Sequence, residues 1–160
     1  MKTKKLPGGI RETNLEEAEK MRRCYDAFSI ICREEGFSRV DFPILCYYEL
    51  FQGKAWIEDQ EIIKLIDYDG KILSLRPDMT ILAARYAALN HENEEEIKLF
   101  YEGKVFRNSF NSQINREENQ FGLEIFGPKG AKTDCELISN CHNLLKKSWC
   151  DRPENIRRTF

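Results

Sequence analysis

No Cys-x-x-Cys pair occurs in this sequence: the cysteines stand singly at 24, 32, 46, 135, 141 and 150. With two histidines in the chain, a zinc site would have to come from Cys135, Cys141 and His142, and that set lacks a fourth ligand and a second closely spaced pair. No metal is expected, and the cysteines read as reduced thiols. Charge of one sign does not accumulate either. Lys and Arg number 25 against 27 Asp and Glu, a net charge of -2, so no overall field draws a polyanion and nucleic-acid binding gains no support. Long apolar runs are also missing, since nothing approaches the ~20 residues that cross a bilayer. The basic opening MKTKKLPGGIRE leads into a polar helix rather than an apolar segment, which argues against a signal peptide or anchor. These absences point to a soluble, cytoplasmic protein with no membrane partner.

What is present suits one folded unit. Apolar residues make up 41% and charged residues 32% of 160, a foldable mixture of single-domain length, so residues 1–160 are expected to form one domain. There is no internal repeat and no low-complexity block.

Thr13-Asn14-Leu15-Glu16 has the capping-box form, with Ala18, Met21, Tyr25, Phe28 and Cys32 following at helical spacing until Gly36. Val40 and Phe42 begin an extended segment that Pro43 limits. Glu61 to Tyr68 and Lys71 to Leu75 flank Asp69-Gly70, which predicts a hairpin turning on that pair. Pro77-Asp78 opens a helix to about Asn90, with Met79, Leu82, Ala83, Tyr86 and Leu89 on its buried stripe. An acidic connector at 92–96 leads to a strand from Ile97 to Arg107, a polar loop from Asn108 to Glu118, and a partner strand from Asn119 to Phe126. A second capping box at Thr133-Asp134-Cys135-Glu136 opens a helix with Ile138, Cys141 and Leu145 spaced for a core, and the tail from Trp149 is polar and aperiodic. Hairpin-linked strands with helices between them give an α+β fold, a largely antiparallel sheet flanked by helices.

Two groups of residues are fitted for chemistry. Period two puts Phe121, Leu123 and Ile125 on one face of the last strand and Gln120, Gly122 and Glu124 on the other. There a small ligand approaching the backbone at Gly122 would meet an amide and a carboxylate, and Arg107 on the neighbouring strand offers a fork for carboxylate or phosphate. A half-exposed polar sheet face with an Arg to Glu ion pair explains the same residues. In Leu75-Arg76-Pro77-Asp78-Met79-Thr80, Asp78 and Thr80 stand where a strand runs into a helix. They either cap the helix start or recognise a cationic ligand.

LPGGIRE (6–12), GFSRVDFPIL (36–45), LSLRPDMT (73–80), FYEGKVFRNS (100–109) and REENQFGLEIFG (116–127), in that order, resemble the histidyl-tRNA synthetases and their non-catalytic relative, the regulatory subunit of ATP phosphoribosyltransferase. RPDMT is closer to the regulatory subunit. The resemblance implies the N-terminal part of a class II synthetase-like core, with the motif 1 and motif 2 regions present. It implies histidine binding by Asp78, Thr80, Arg107, Gln120 and Glu124, Arg107 matching the arginine that meets the carboxylate and the α-phosphate of ATP. Arg116 matches a loop arginine that meets the nucleotide, and Pro43 the proline of the dimer-interface motif.

Departures from that pattern fall on the nucleotide side. Ser109 replaces an expected glutamate, and Glu118 stands where an aromatic ring would stack on adenine, adding repulsion toward a triphosphate. Ser109, Arg116 and Glu118 thus read as a degraded nucleotide site, Cys46 takes the place of another usual acid, and the third motif is not found. The expectation is a non-catalytic regulatory subunit that binds histidine and the catalytic subunit of ATP phosphoribosyltransferase, as a homodimer or hetero-oligomer, with no cofactor. The alternatives are a dimerisation or interaction domain without ligand and, behind it, a shortened amino-acid-activating enzyme.

Overall fold

The computed structural model of the chain describes residues 6–54, 56–91, 95–109, 114–127 and 130–150, with side chains up to residue 143. The first five residues, most of the acidic connector, part of the 108–118 loop, the Leu145 side chain and the tail from 151 lie outside the described residues.

Helix α1 (Leu15–Glu34) is capped by Asn14, whose side chain accepts from the Glu17 amide at 2.9 Å. The cap is one residue later than the Thr13 box predicts, because Asn supplies the same acceptor at the position where the chain leaves its extended conformation. The helix closes with Gly36 at φ 82: Gly36 N donates to Arg33 O and Phe37 N to Cys32 O, a C-terminal motif that turns the chain back and buries Phe37. Ala18 is exposed, so the buried stripe begins at Met21.

Strands β1 (Ser38–Arg39), β5 (Ile97–Phe106) and β6 (Glu117–Phe126) form one sheet in the order β1-β5-β6; β1 runs parallel to β5, and β6 pairs with β5 antiparallel along its whole length. Strands β2 (Leu45–Tyr47), β3 (Lys64–Ile66) and β4 (Ile72–Leu75) form a second, antiparallel sheet in the order β2-β4-β3. The predicted hairpin is β3-β4, but its turn differs. Gly70 N donates to Asp67 O, so Tyr68-Asp69 are the central pair and Gly70, at φ 84, follows them. This is a three-residue loop closed by a left-handed glycine rather than a two-residue turn on Asp69-Gly70.

Helices α1 and α3 (Ala131–Cys150) cover one face of the first sheet, where Phe28, Ile31, Phe37, Phe100, Leu123, Ile125 and Leu137 gather. On the other face, α2 (Thr80–Asn90) and the second sheet enclose the larger core around Phe42, Phe51, Ile62, Met79, Leu82, Tyr101 and Val105. Two predicted stripes are corrected. Leu89 is 65% exposed and Ile138 69%, with Cys141 exposed as well, while α3 turns Leu137 and Asn140 inward. Asn140 is buried despite being polar, which is why apolar spacing picks the wrong side of α3.

The two sheets are fastened by Arg76, 4% exposed. Its Nε donates to Lys104 O at 2.7 Å and Nη1 to Phe42 O at 2.5 Å, while its backbone N donates to Ile44 O and its O accepts from Phe106 N. Gly103 makes room, since a Cβ there would lie 2.6 Å from Arg76 Nη2. Burial lowers the Arg76 pKa, but guanidinium remains charged and its donors find carbonyl partners. Arg76 thereby fixes the segment that enters α2.

Candidate functional site

Residue 78 follows Arg76 by two and lies at 6% exposure just before α2. The helix begins at Thr80 rather than Pro77, and Asp78 serves it from outside: Oδ1 accepts from Ile81 N at 3.2 Å. Oδ2 accepts from Gln120 Nε2 at 3.0 Å, and Gln120 Oε1 takes the Met79 amide at 3.1 Å. One carboxylate oxygen thus caps the helix, as expected for an acid at its start, and the other is tied to β6 through Gln120.

Thr80 is tied to β6 at a second point, through a residue the sequence did not single out. Tyr101, on β5 and 1% exposed, places its hydroxyl 3.0 Å from Thr80 Oγ1 and donates to Glu124 Oε1 at 2.9 Å. The antiparallel register sets Tyr101 opposite Gly122, and a Cβ at 122 would fall 2.2 Å from the tyrosine ring. The open backbone at Gly122 is thus filled by Tyr101, not left for a ligand. Tyrosine facing glycine in paired strands was the signal available, but it requires the register.

The electrostatics follow from burial. Glu124 has its pKa raised, first by desolvation and also by the Asp78 charge, while hydrogen bonds from Tyr101 and Thr80 pull it back down. Burial likewise raises the Tyr101 phenol, so it stays a donor at neutral pH. The groups gathered here are two carboxylates, an amide and two hydroxyls, a chemistry fitted to a cationic, hydrogen-bond-donating group.

Arg107 continues β5 and forms an isolated bridge with Ile62. Its Nε donates to Pro77 O at 3.0 Å, which sets it beside Asp78 instead of in an ion pair with Glu124. Gln120, Gly122 and Glu124 do share one face as alternation predicts, with Phe121, Leu123 and Ile125 turned toward α1 and α3.

The nucleotide-side residues are not drawn into this network. Arg116 N donates to Gly9 O at 2.8 Å, and a Cβ on Gly9 would sit 2.7 Å from Arg116 Cγ, so the LPGGI segment lies on the arginine's stem. Glu118 is exposed and Ser109 half-buried. A separate cleft of about 250 Å³, lined by Gly9, Arg11, Thr13, Met21, Lys104 and Glu117 among others, contains none of the cluster. Cys135 and Cys141 are exposed, and among the described residues no three metal-ligating side chains come together. No helix among the described residues is long and apolar enough to cross a membrane.

The sequence and the fold have counterparts among known proteins. A protein of Carboxydothermus hydrogenoformans named ATP phosphoribosyltransferase regulatory subunit is 33% identical over 147 residues, 91% of this chain and 44% of the relative. One of the same name from Geobacillus thermodenitrificans is 35% identical over 145 residues, 88% of this chain and 36% of its own length. The chain therefore spans less than half the length of these curated relatives. Among solved structures, an ATP phosphoribosyltransferase regulatory subunit/histidyl-tRNA synthetase from Bacillus halodurans superposes with a TM-score of 0.83 at 30% identity, covering 92% of this chain and 39% of that one. Apo histidyl-tRNA synthetase of S. aureus shares the fold at a TM-score of 0.74 and 23% identity, covering 91% and 35%. The fold is that of the class II synthetase-like core, in its N-terminal part. The family model described as Histidyl-tRNA synthetase matches residues 9–151, a span that holds the six strands found among the described residues together with Asp78, Thr80, Tyr101, Gln120 and Glu124, and the chain belongs to that family.

Proposed function

We infer that the chain binds free histidine without activating it, and does so as a regulatory subunit of ATP phosphoribosyltransferase in contact with the catalytic subunit. One observation carries the ligand: Asp78 and Gln120, hydrogen-bonded to each other, stand next to Thr80 and Glu124, which share the Tyr101 hydroxyl, so the entry to α2 and β6 bring all four together. Its paired carboxylates suit an α-amine or an imidazolium, and Arg107, anchored on Pro77 O beside Asp78, suits a carboxylate. The names of the relatives support the regulatory role.

Glu118 and Ser109 favour binding over catalysis. An exposed carboxylate where an adenine would stack repels a triphosphate, and activation of an amino acid needs several cations arranged around one. Assembly has a physical motive. The outer face of the second sheet carries Leu45, Tyr47, Leu65, Leu73 and Leu75 in one register, the first three exposed, beside the exposed Pro43. That face favours a homodimer or hetero-oligomer.

Histidine at millimolar concentration should raise the melting temperature, and Asp78→Ala or Glu124→Ala should abolish the rise. No rise in the parent protein would leave an interaction domain without ligand. ATP-dependent pyrophosphate exchange would overturn the non-catalytic reading, and co-purification with an ATP phosphoribosyltransferase catalytic chain tests the partner.

A further inference from the structure

Tyr101 enters the site from a strand that otherwise reads as plain core, and three features set it apart from a core aromatic. Its ring occupies the space that the missing Cβ of Gly122 leaves, so glycine at 122 and tyrosine at 101 are a matched pair. Phe42 meets the ring edge-on at 5.6 Å between centroids, which limits its tilt. Its hydroxyl, buried with the ring, is bonded both to Thr80 at the helix start and to Glu124 on β6. A packing role would need the ring alone.

We propose that Tyr101 is a positioning residue of this site: held over Gly122, its hydroxyl ties Thr80 to Glu124 and aims the Glu124 carboxylate at the cationic group of the ligand. The proposal rests on the reading of the site given above. The groups that bear on Glu124 are Tyr101 from β5, Thr80 from α2 and the Asp78 carboxylate before α2. Of these, Asp78 opposes ionisation of Glu124 and the two hydroxyls favour it. Without the phenol, Glu124 would lose one of its two hydroxyl donors and be held by Thr80 alone, while the backbone on either side stays pinned by the β5-β6 ladder.

The test uses the full chain and the Tyr101→Phe variant, which keeps the ring. Carbon-detected NMR titration of Glu124 in the ligand-free proteins should place its midpoint higher in the variant by about one pH unit, the effect of removing one hydrogen bond to a carboxylate. Calorimetric titration with histidine at neutral pH should show affinity weakened about tenfold in the variant. An unchanged Glu124 midpoint overturns the proposal, as does a shifted midpoint with unchanged histidine affinity. A shifted midpoint with no histidine binding by either protein would instead sink the ligand reading and leave the tie between Tyr101 and Glu124 standing. Thr80→Val, which removes the other hydroxyl that bears on Glu124, should move the midpoint in the same direction; no movement there counts against the shared tie.

Discussion

The two ends of β6 have opposite characters. From Gln120 to Glu124 its inward side chains are committed to Asp78, Met79 and Tyr101, and each bond satisfies a group that has left water. At Glu117 and Glu118 the strand presents charges that stay in solvent or pair locally, as Lys104 does with Glu117. Burial is what separates them. A polar side chain in the first region has nowhere else to find a partner, so its chemical identity is fixed by geometry, whereas in the second water accepts almost any replacement.

Changes that force apart the buried end should have the largest effect. Gly122→Ala puts a methyl into the Tyr101 ring, and a loss of about 3 kcal/mol is expected in denaturant unfolding, with histidine binding lost as well. A loss under about 0.5 kcal/mol would mean that the ring shifts freely and that the contrast between the two ends is overstated. Gln120→Leu comes next. It strips partners from Asp78 Oδ2 and the Met79 amide, for a cost of about 2 kcal/mol measured the same way.

Glu124→Gln has the opposite sign in the ligand-free protein, and its effect depends on pH. A carboxyl whose folded pKa lies above the ordinary 4.5 binds protons more tightly when folded. Its contribution to stability is complete below that value and is lost as pH rises through the folded pKa. The variant should therefore melt higher than the parent at pH 7 to 8, with the gain shrinking toward pH 4. A gain that is constant across this range would show that ionisation of Glu124 is not what costs stability. The smallest effect belongs to the exposed end. Glu118→Ala should change stability by no more than about 0.5 kcal/mol, and a larger change would reveal a buried role at a position that looks solvated.

Much of this contrast was legible before any coordinates. Alternation along 120–125 separates the site face of β6 from the face that meets the helices, because a period of two depends on the strand alone. The Asn14 cap shifts by one residue from the expected box, and the β3-β4 turn keeps its glycine while moving its central pair, both local errors of register. What stayed hidden depends on contacts between distant segments. Tyr101 sits in a run that reads as core until β6 is laid beside it. Arg76 binds backbone carbonyls, which every residue possesses, so no partner residue marks it. The inward side of α3 escaped because Asn140 is buried while Ile138 is not.

Arg76 carries one further implication. Its guanidinium clasps Phe42 O and Lys104 O, and between it and Asp78 stands a single residue, Pro77, whose ring removes one of the two soft torsions of that link. The carboxylate is accordingly mounted on a short stiff arm bolted to both sheets. Under the proposed reading, a ligand would find little freedom left to surrender at Asp78, because the entropic toll of ordering that residue has been met during folding.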